Sequence, residues 1–113
     1  MKKRIYIAGC GGMLGEAFYT QFKEEYDIKC TDKDVNEDWL SFLDFREREA
    51  YIKDVEDFNP DYLFHLGAYT DLEFCEENKD DTYATNTLSA ENAVFIANKL
   101  NIPLLYISTA GIF

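Results

Sequence analysis

With 113 residues, 47% of them apolar and 16% aromatic, the chain is one domain of ordinary size with enough hydrophobic surface for a packed core, which excludes a disordered segment. Its 22 acidic side chains against 11 basic ones leave a net charge of −11, which disfavours nucleic acid or an anionic membrane surface as the main partner. No stretch approaches the roughly 20 apolar residues of a membrane-spanning helix, and the short, glycine-interrupted run behind Met1-Lys2-Lys3-Arg4 is unlike the centre of a secretory signal.

The first predicted element is the strand Ile5-Tyr6-Ile7-Ala8, and it leads straight into Gly9-Cys10-Gly11-Gly12-Met13-Leu14-Gly15. Each glycine meets a separate demand of holding a dinucleotide. Gly9 lets the backbone turn sharply off a strand, Gly12 leaves room for a pyrophosphate against bare amides, and Gly15 lets the following helix lie close to the sheet. That helix, predicted over 13–25, places Leu14, Ala17, Phe18 and Phe22 on one face. Its first residues, Met13 and Leu14, present unpaired N–H groups and a partial positive charge to the phosphates. A second strand over 28–31 ends at Asp32, which is placed to accept hydrogen bonds from the adenosine ribose hydroxyls. Asp32 repels a 2′-phosphate whereas Lys33 pairs with one, so NAD is the favoured cofactor and NADP a tolerated one.

Residues 33–41 are polar and without period, reading as a loop that leads to Phe42-Leu43-Asp44-Phe45. A helix over 46–58 follows, stopped by Asn59-Pro60, and Asp44 in front of it also reads as a helix cap. Tyr62-Leu63-Phe64-His65-Leu66 is short and apolar enough for a buried parallel strand, with His65 at its end held by neighbouring groups. A long helix over 80–100 closes at Asn101-Ile102-Pro103, and a last strand runs over 104–108. Strands alternating with helices at this spacing predict an α/β fold, a Rossmann-type parallel sheet with helices on both faces and strand order 3-2-1-4. That order opens a crevice between the first and fourth strands, where dinucleotides sit. The last strand is an apolar run on an open sheet edge, so either more chain follows or a partner covers it, a homodimer being one such partner. Cys10, Cys30 and Cys75 show neither metal-ligand spacing nor disulfide density, which predicts free thiols in a reducing cytoplasm and no metal.

These residues together resemble the extended short-chain dehydrogenase/reductase superfamily, the nucleotide-sugar epimerases, dehydratases and reductases. Gly9-x-x-Gly12-x-x-Gly15 matches its spacing, His65-Leu66-Gly67-Ala68 resembles its His-Leu-Ala-Ala segment, and Asn86 with Asn92 resembles its asparagine-rich helix. Within it, Ser108-Thr109-Ala110-Gly111-Ile112-Phe113 is similar to the Ser-Thr-Asp-Tyr-Val-Phe segment of the dTDP-4-dehydrorhamnose reductase family. Asp44-Phe45 and Ala68-Tyr69-Thr70 fit the same comparison. Glu73-Phe74 stands where that family has an Asp-Lys pair, and Ala110 replaces an Asp. The resemblance implies that Gly9, Gly12 and Gly15 line the pyrophosphate, that Asp44 and Phe45 flank the adenine, and that Ala68 and Tyr69 lie beside the centre of the cofactor. It implies further that Thr109 orients the carbonyl of a nucleotide-sugar substrate and that Asn86 orders the active-site helix and its waters.

The superfamily's proton donor is a Tyr with a Lys four residues later, placed after the Ser/Thr strand end. Tyr19-Thr20-Gln21-Phe22-Lys23 has the spacing but lies on the helix behind the glycine loop, which makes it a decoy. The expectation is therefore that residues 1–113 are the NAD(P)-binding domain at the amino end of a longer enzyme. A reductase acting on a 4-keto sugar, an epimerase or a dehydratase all fit. A non-catalytic dinucleotide-binding module that regulates a partner accounts for the absent pair in another way.

Overall fold

The computed structural model describes residues 2–9, 13–32, 35, 38–44, 47–66 and 79–106, and of 13, 14 and 79–88 the main chain alone. The elements are β1 (Arg4–Ala8), α1 (Met13–Phe22), β2 (Asp27–Asp32), β3 (Leu40–Phe42), α2 (Arg48–Phe58), β4 (Tyr62–His65), α3 (Lys79–Leu100) and β5 (Leu104–Tyr106). The five strands form one parallel sheet in the order β3-β2-β1-β4-β5.

β1 occupies the centre because its sequence offers no polar face. Ile5, Tyr6, Ile7 and Ala8 are all buried, as a parallel strand covered on both sides requires. On one face Ile5 and Ile7 join Cys30 of β2 and Leu40 of β3, with Phe18 and Tyr19 of α1 packed against them. On the other, Tyr6, Ala8 and Leu63 meet Tyr51 and Val55 of α2 and Ala93, Ile96 and Ala97 of α3. Helices on both faces are thus borne out, each face with its own core.

The places run 3-2-1-4 as expected and gain a fifth, but other strands fill them: the run 62–66, expected outside the second strand, lies beside β1, and the last strand, expected beside β1, lies one place further out. The third place belongs to Leu40–Phe42, in the stretch read as loop and lead-in, and Tyr62–His65 is the fourth strand, beside β1. Leu104–Tyr106 adds a fifth at the edge. β3 carries little hydrophobic signal because Leu40 alone is buried, while Ser41 and Phe42 are exposed. Its place comes from main-chain pairing of Cys30 with Leu40, Thr31 with Ser41 and Asp32 with Phe42.

α2 and α3 both stop on an asparagine in the left-handed region, Asn59 and Asn101, each with φ 55°. Asparagine takes that conformation at little cost, and the cap closes with Asn59 N–H donating to Val55 O at 2.9 Å and Ile102 N–H to Ala97 O at 3.0 Å. Pro60 and Pro103 then prevent continuation of either helix. The chain is delivered into β4 and β5 at a fixed height, Asp61 N–H donating to Arg4 O at 2.8 Å and Leu63 N–H to Pro103 O at 3.1 Å.

Candidate functional site

Because the sheet is parallel and in register, the carboxyl ends of the strands share one rim. Ala8 pairs with Thr31 on one side and His65 on the other, Asp32 pairs with Phe42, and His65 pairs with Tyr106. After β1 the chain proceeds to β2 and β3 on one side, then returns to build β4 and β5 on the other, so β1 and β4 flank the switch point where open α/β sheets bind ligands.

Gly9 leaves β1 at that point with φ 84°, a value that costs a residue with a Cβ roughly 1–2 kcal/mol. Its N–H donates to Thr31 O at 2.8 Å, and on the other side Leu66 N–H donates to Ala8 O at 2.7 Å. The exit of β1 is therefore gripped by both neighbouring strands. α1 opens four residues later, and Gly15 in its first turn is buried, so the helix start lies close to the sheet. Asp32 closes β2, half-buried, and its carbonyl accepts Leu43 N–H at 3.0 Å. Asp44 follows on the same rim. It is not the cap of α2: Glu47 holds that position without a side-chain bond, while Asp44 O accepts Glu47 N–H at 3.0 Å.

The structure thus brings Gly9, Gly15, Asp32 and Asp44 to one rim. Met13, Leu14 and Asn86 are placed by their main chain in α1 and α3. Gly12, Lys33, Phe45, Ala68, Tyr69 and Thr109 lie outside the described residues. Asn92 is 2% exposed and ties α3 to α2, its Oδ1 accepting from Arg48 Nε at 2.8 Å, with the Arg48 guanidinium 5.1 Å from the centre of the Phe95 ring. Tyr19 of α1 and Lys23, one residue past its end, pack at the β3 side of the sheet. Tyr19 stacks on Trp39 at 4.5 Å with 6° between the planes, and Lys23 Nζ stands 5.7 Å from the centre of the Tyr19 ring.

Beneath the rim, between the sheet and α2, runs a polar cluster that sequence reasoning missed. The Tyr6 hydroxyl donates to Asp54 Oδ2 at 2.5 Å and Lys29 Nζ to Asp54 Oδ1 at 2.8 Å, while buried Thr31 Oγ1 donates to Ile7 O at 3.1 Å. Burial, then the bond to Asp54, pushes the Tyr6 phenol well above its ordinary range. Tyr51 and His65 share a hydrogen bond of 2.8 Å between hydroxyl and Nδ1. Burial raises the Tyr51 phenol and lowers His65 to about 4, so both are neutral at physiological pH. The available signal was on α2, where Tyr51, Asp54, Val55 and Phe58 fall on one stripe that carries a hydroxyl and a carboxylate among apolar residues.

An open groove of about 680 Å³ along α2 and Lys99 of α3 is lined by Glu49, Lys53, Glu56, Asp57 and Lys99, and none of the rim residues borders it. Among the described residues no group of three or more His, Cys, Asp or Glu could hold a metal, and no helix is long and apolar enough to cross a membrane.

A family model described as the RmlD substrate binding domain matches residues 2–113, the rim and its flanking elements included. The chain belongs to this RmlD family. Among curated relatives of the chain, dTDP-4-dehydrorhamnose reductase from Aggregatibacter actinomycetemcomitans is 23% identical over 112 residues, covering 97% of this chain and 36% of that protein. Methionine adenosyltransferase 2 subunit beta from Xenopus laevis is 28% identical over 116 residues, covering 98% of this chain and 34% of that protein. The solved structure of dTDP-4-dehydrorhamnose reductase from Bacillus anthracis, in complex with NADP, superposes with a TM-score of 0.81 at 30% identity, over 96% of this chain and 36% of that one. The chain therefore spans about a third of the length of the curated relatives named here. The sequence resemblance to the dTDP-4-dehydrorhamnose reductases is borne out, and the Rossmann-like fold is shared with the Bacillus anthracis reductase solved with NADP.

Proposed function

We propose that residues 1–113 are the NAD(P)-binding portion of a nucleotide-sugar oxidoreductase of the dTDP-4-dehydrorhamnose reductase type. The observation that carries this reading is Gly9, a positive-φ glycine gripped at the switch-point exit of β1 and followed by a helix whose first turn contains a buried glycine. The residues suit a dinucleotide. A Cβ at Gly9 is disfavoured by the backbone, the start of α1 offers N–H groups to phosphate, and the carboxylate of Asp32 stands at the end of the neighbouring strand.

In this reading Gly9, Gly12, Met13, Leu14 and Gly15 hold the pyrophosphate, Asp32 accepts from the ribose hydroxyls, Asp44 and Phe45 flank the adenine, and Ala68 and Tyr69 border the centre of the cofactor. The cofactor supplies hydride for a 4-keto sugar carbon. Thr109 orients the substrate carbonyl through its hydroxyl, and Asn86 orders the helix beside it. NAD is preferred because Asp32 repels a 2′-phosphate. Lys33 leaves room for NADP, the cofactor in the Bacillus anthracis neighbour. The reading carries a cytoplasmic location with it.

Titration of the protein with NADH and NADPH, followed by nicotinamide fluorescence, is expected to give saturable binding with NADH the tighter. Markedly tighter NADPH removes the role given to Asp32, and no binding of either removes the whole reading. A second reading, a dinucleotide-binding subunit that regulates a partner, is favoured by the relative named as subunit beta of methionine adenosyltransferase 2. Thr109→Ala in the full-length protein separates the two. Lost turnover with cofactor affinity kept supports the oxidoreductase; no change in any activity supports the subunit.

A further inference from the structure

His65 is an expensive choice for its position. Two residues earlier on the same strand face, Leu63 fills the core with no polar atom to satisfy, yet at the carboxyl end of β4 the chain buries an imidazole completely. Three elements converge on that ring. From α2, Tyr51 brings its hydroxyl to Nδ1 at 2.8 Å and its own ring to 5.8 Å with 29° between the planes. From β5, Tyr106 lies against the ring at 5.6 Å with 11° between the planes. The very next peptide, at Leu66, donates to Ala8 O at 2.7 Å, and Gly9 N–H donates to Thr31 O beyond it. The imidazole is thus joined, through one peptide on each strand, to both walls of the crevice between β1 and β4.

Apolar packing has no preferred direction, whereas a hydrogen bond weakens steeply with misalignment. We infer that His65 and Tyr51 are positioning residues for the coenzyme, their imidazole–phenol bond fixing the carboxyl end of β4 against β1 so that the crevice is set before the dinucleotide arrives. The inference rests on the dinucleotide-binding reading above.

Three forms of the full chain test it: wild type, Tyr51→Phe, which keeps the stacked ring and removes the hydroxyl, and Tyr51→Phe/His65→Leu, which removes both polar partners. Replacing both partners by apolar groups is nearly neutral for stability, while removing one is not. NADH dissociation constants and thermal midpoints are measured for each. Tyr51→Phe is expected to weaken NADH by about 2- to 30-fold, and the double variant to regain the midpoint but not the affinity. Wild-type affinity in either variant overturns the inference alone, since the bond then serves stability only. Should the double variant fail to fold, Tyr51→Phe decides, read well below its own midpoint: weakened NADH binding sustains the inference and unchanged binding ends it. A wild-type protein that binds neither NADH nor NADPH overturns the parent reading, and this one with it.

Discussion

At Gly9 the backbone angle and the proposed dinucleotide make the same demand. Gly9→Ala is expected to lower stability by about 1–2 kcal/mol through its φ of 84°, checked by urea denaturation, and to abolish NADH binding as well. His65 responds to pH instead. Burial lowers its pKa in the fold to about 4 from the ordinary 6.5, so between those values the unfolded chain binds the extra proton. Stability is therefore fully present above about pH 6.5 and is lost as pH falls towards 4, by about 3 kcal/mol from this group. Denaturation midpoints at pH 7.5 and 4.5 are expected to differ less in His65→Leu than in wild type, because the variant lacks that proton. Neither the Tyr51 bond to His65 nor the Tyr6–Asp54–Lys29 cluster was legible in the sequence. The partners are 14, 48 and 25 positions apart, and only the docking of α2 on the sheet brings them together.

Elements were legible wherever burial on both faces leaves an unbroken apolar run, as in β1 and β4, or wherever a stop signal is chemically unambiguous. Asn59-Pro60 and Asn101-Ile102-Pro103 ended α2 and α3 where expected, because both asparagines sit at positive φ. Asn59→Ala is expected to cost about 1 kcal/mol and Asn59→Gly almost nothing, as read from urea midpoints at constant slope. β3 escaped notice because a three-residue edge strand with one inward side chain has no period to detect. The same gap explains the dual reading of Asp44. With β3 ending at Phe42, Asp44 belongs to the rim, one turn ahead of the cap at Glu47. Spacing alone put Gly9 at the end of β1, Gly15 in the first turn of α1 and Asp32 at the end of β2, whereas Gly12, Lys33, Phe45, Ala68, Tyr69 and Thr109 lie outside the described residues.

Taken whole, the molecule carries a charge of −11 and is proposed to bind an anionic cofactor, so the phosphates are held by local amides against a repulsive background. Raising ionic strength from about 10 to 150 mM shortens the screening length from about 30 to 8 Å, and NADH binding is expected to tighten, where a basic-patch binder would weaken. Dissociation constants across that range check the sign. At the margin of the sheet, Leu105 and Tyr106 of β5 are 39% and 40% exposed. Among the described residues no strand pairs beyond β5, and Leu105→Lys is expected to reduce concentration-dependent association in light scattering, since charge blunts such an edge. The indole of Trp39, the sole tryptophan in the chain, rests on Tyr19 of α1 and so gives the protein an optical gauge of its own. Its emission follows the seating of α1, the helix that begins four residues after Gly9, while circular dichroism averages over all helices. If that helix detaches first on heating, the two melting traces part, and the interval between them measures how firmly α1 is fastened to the sheet before any ligand is added.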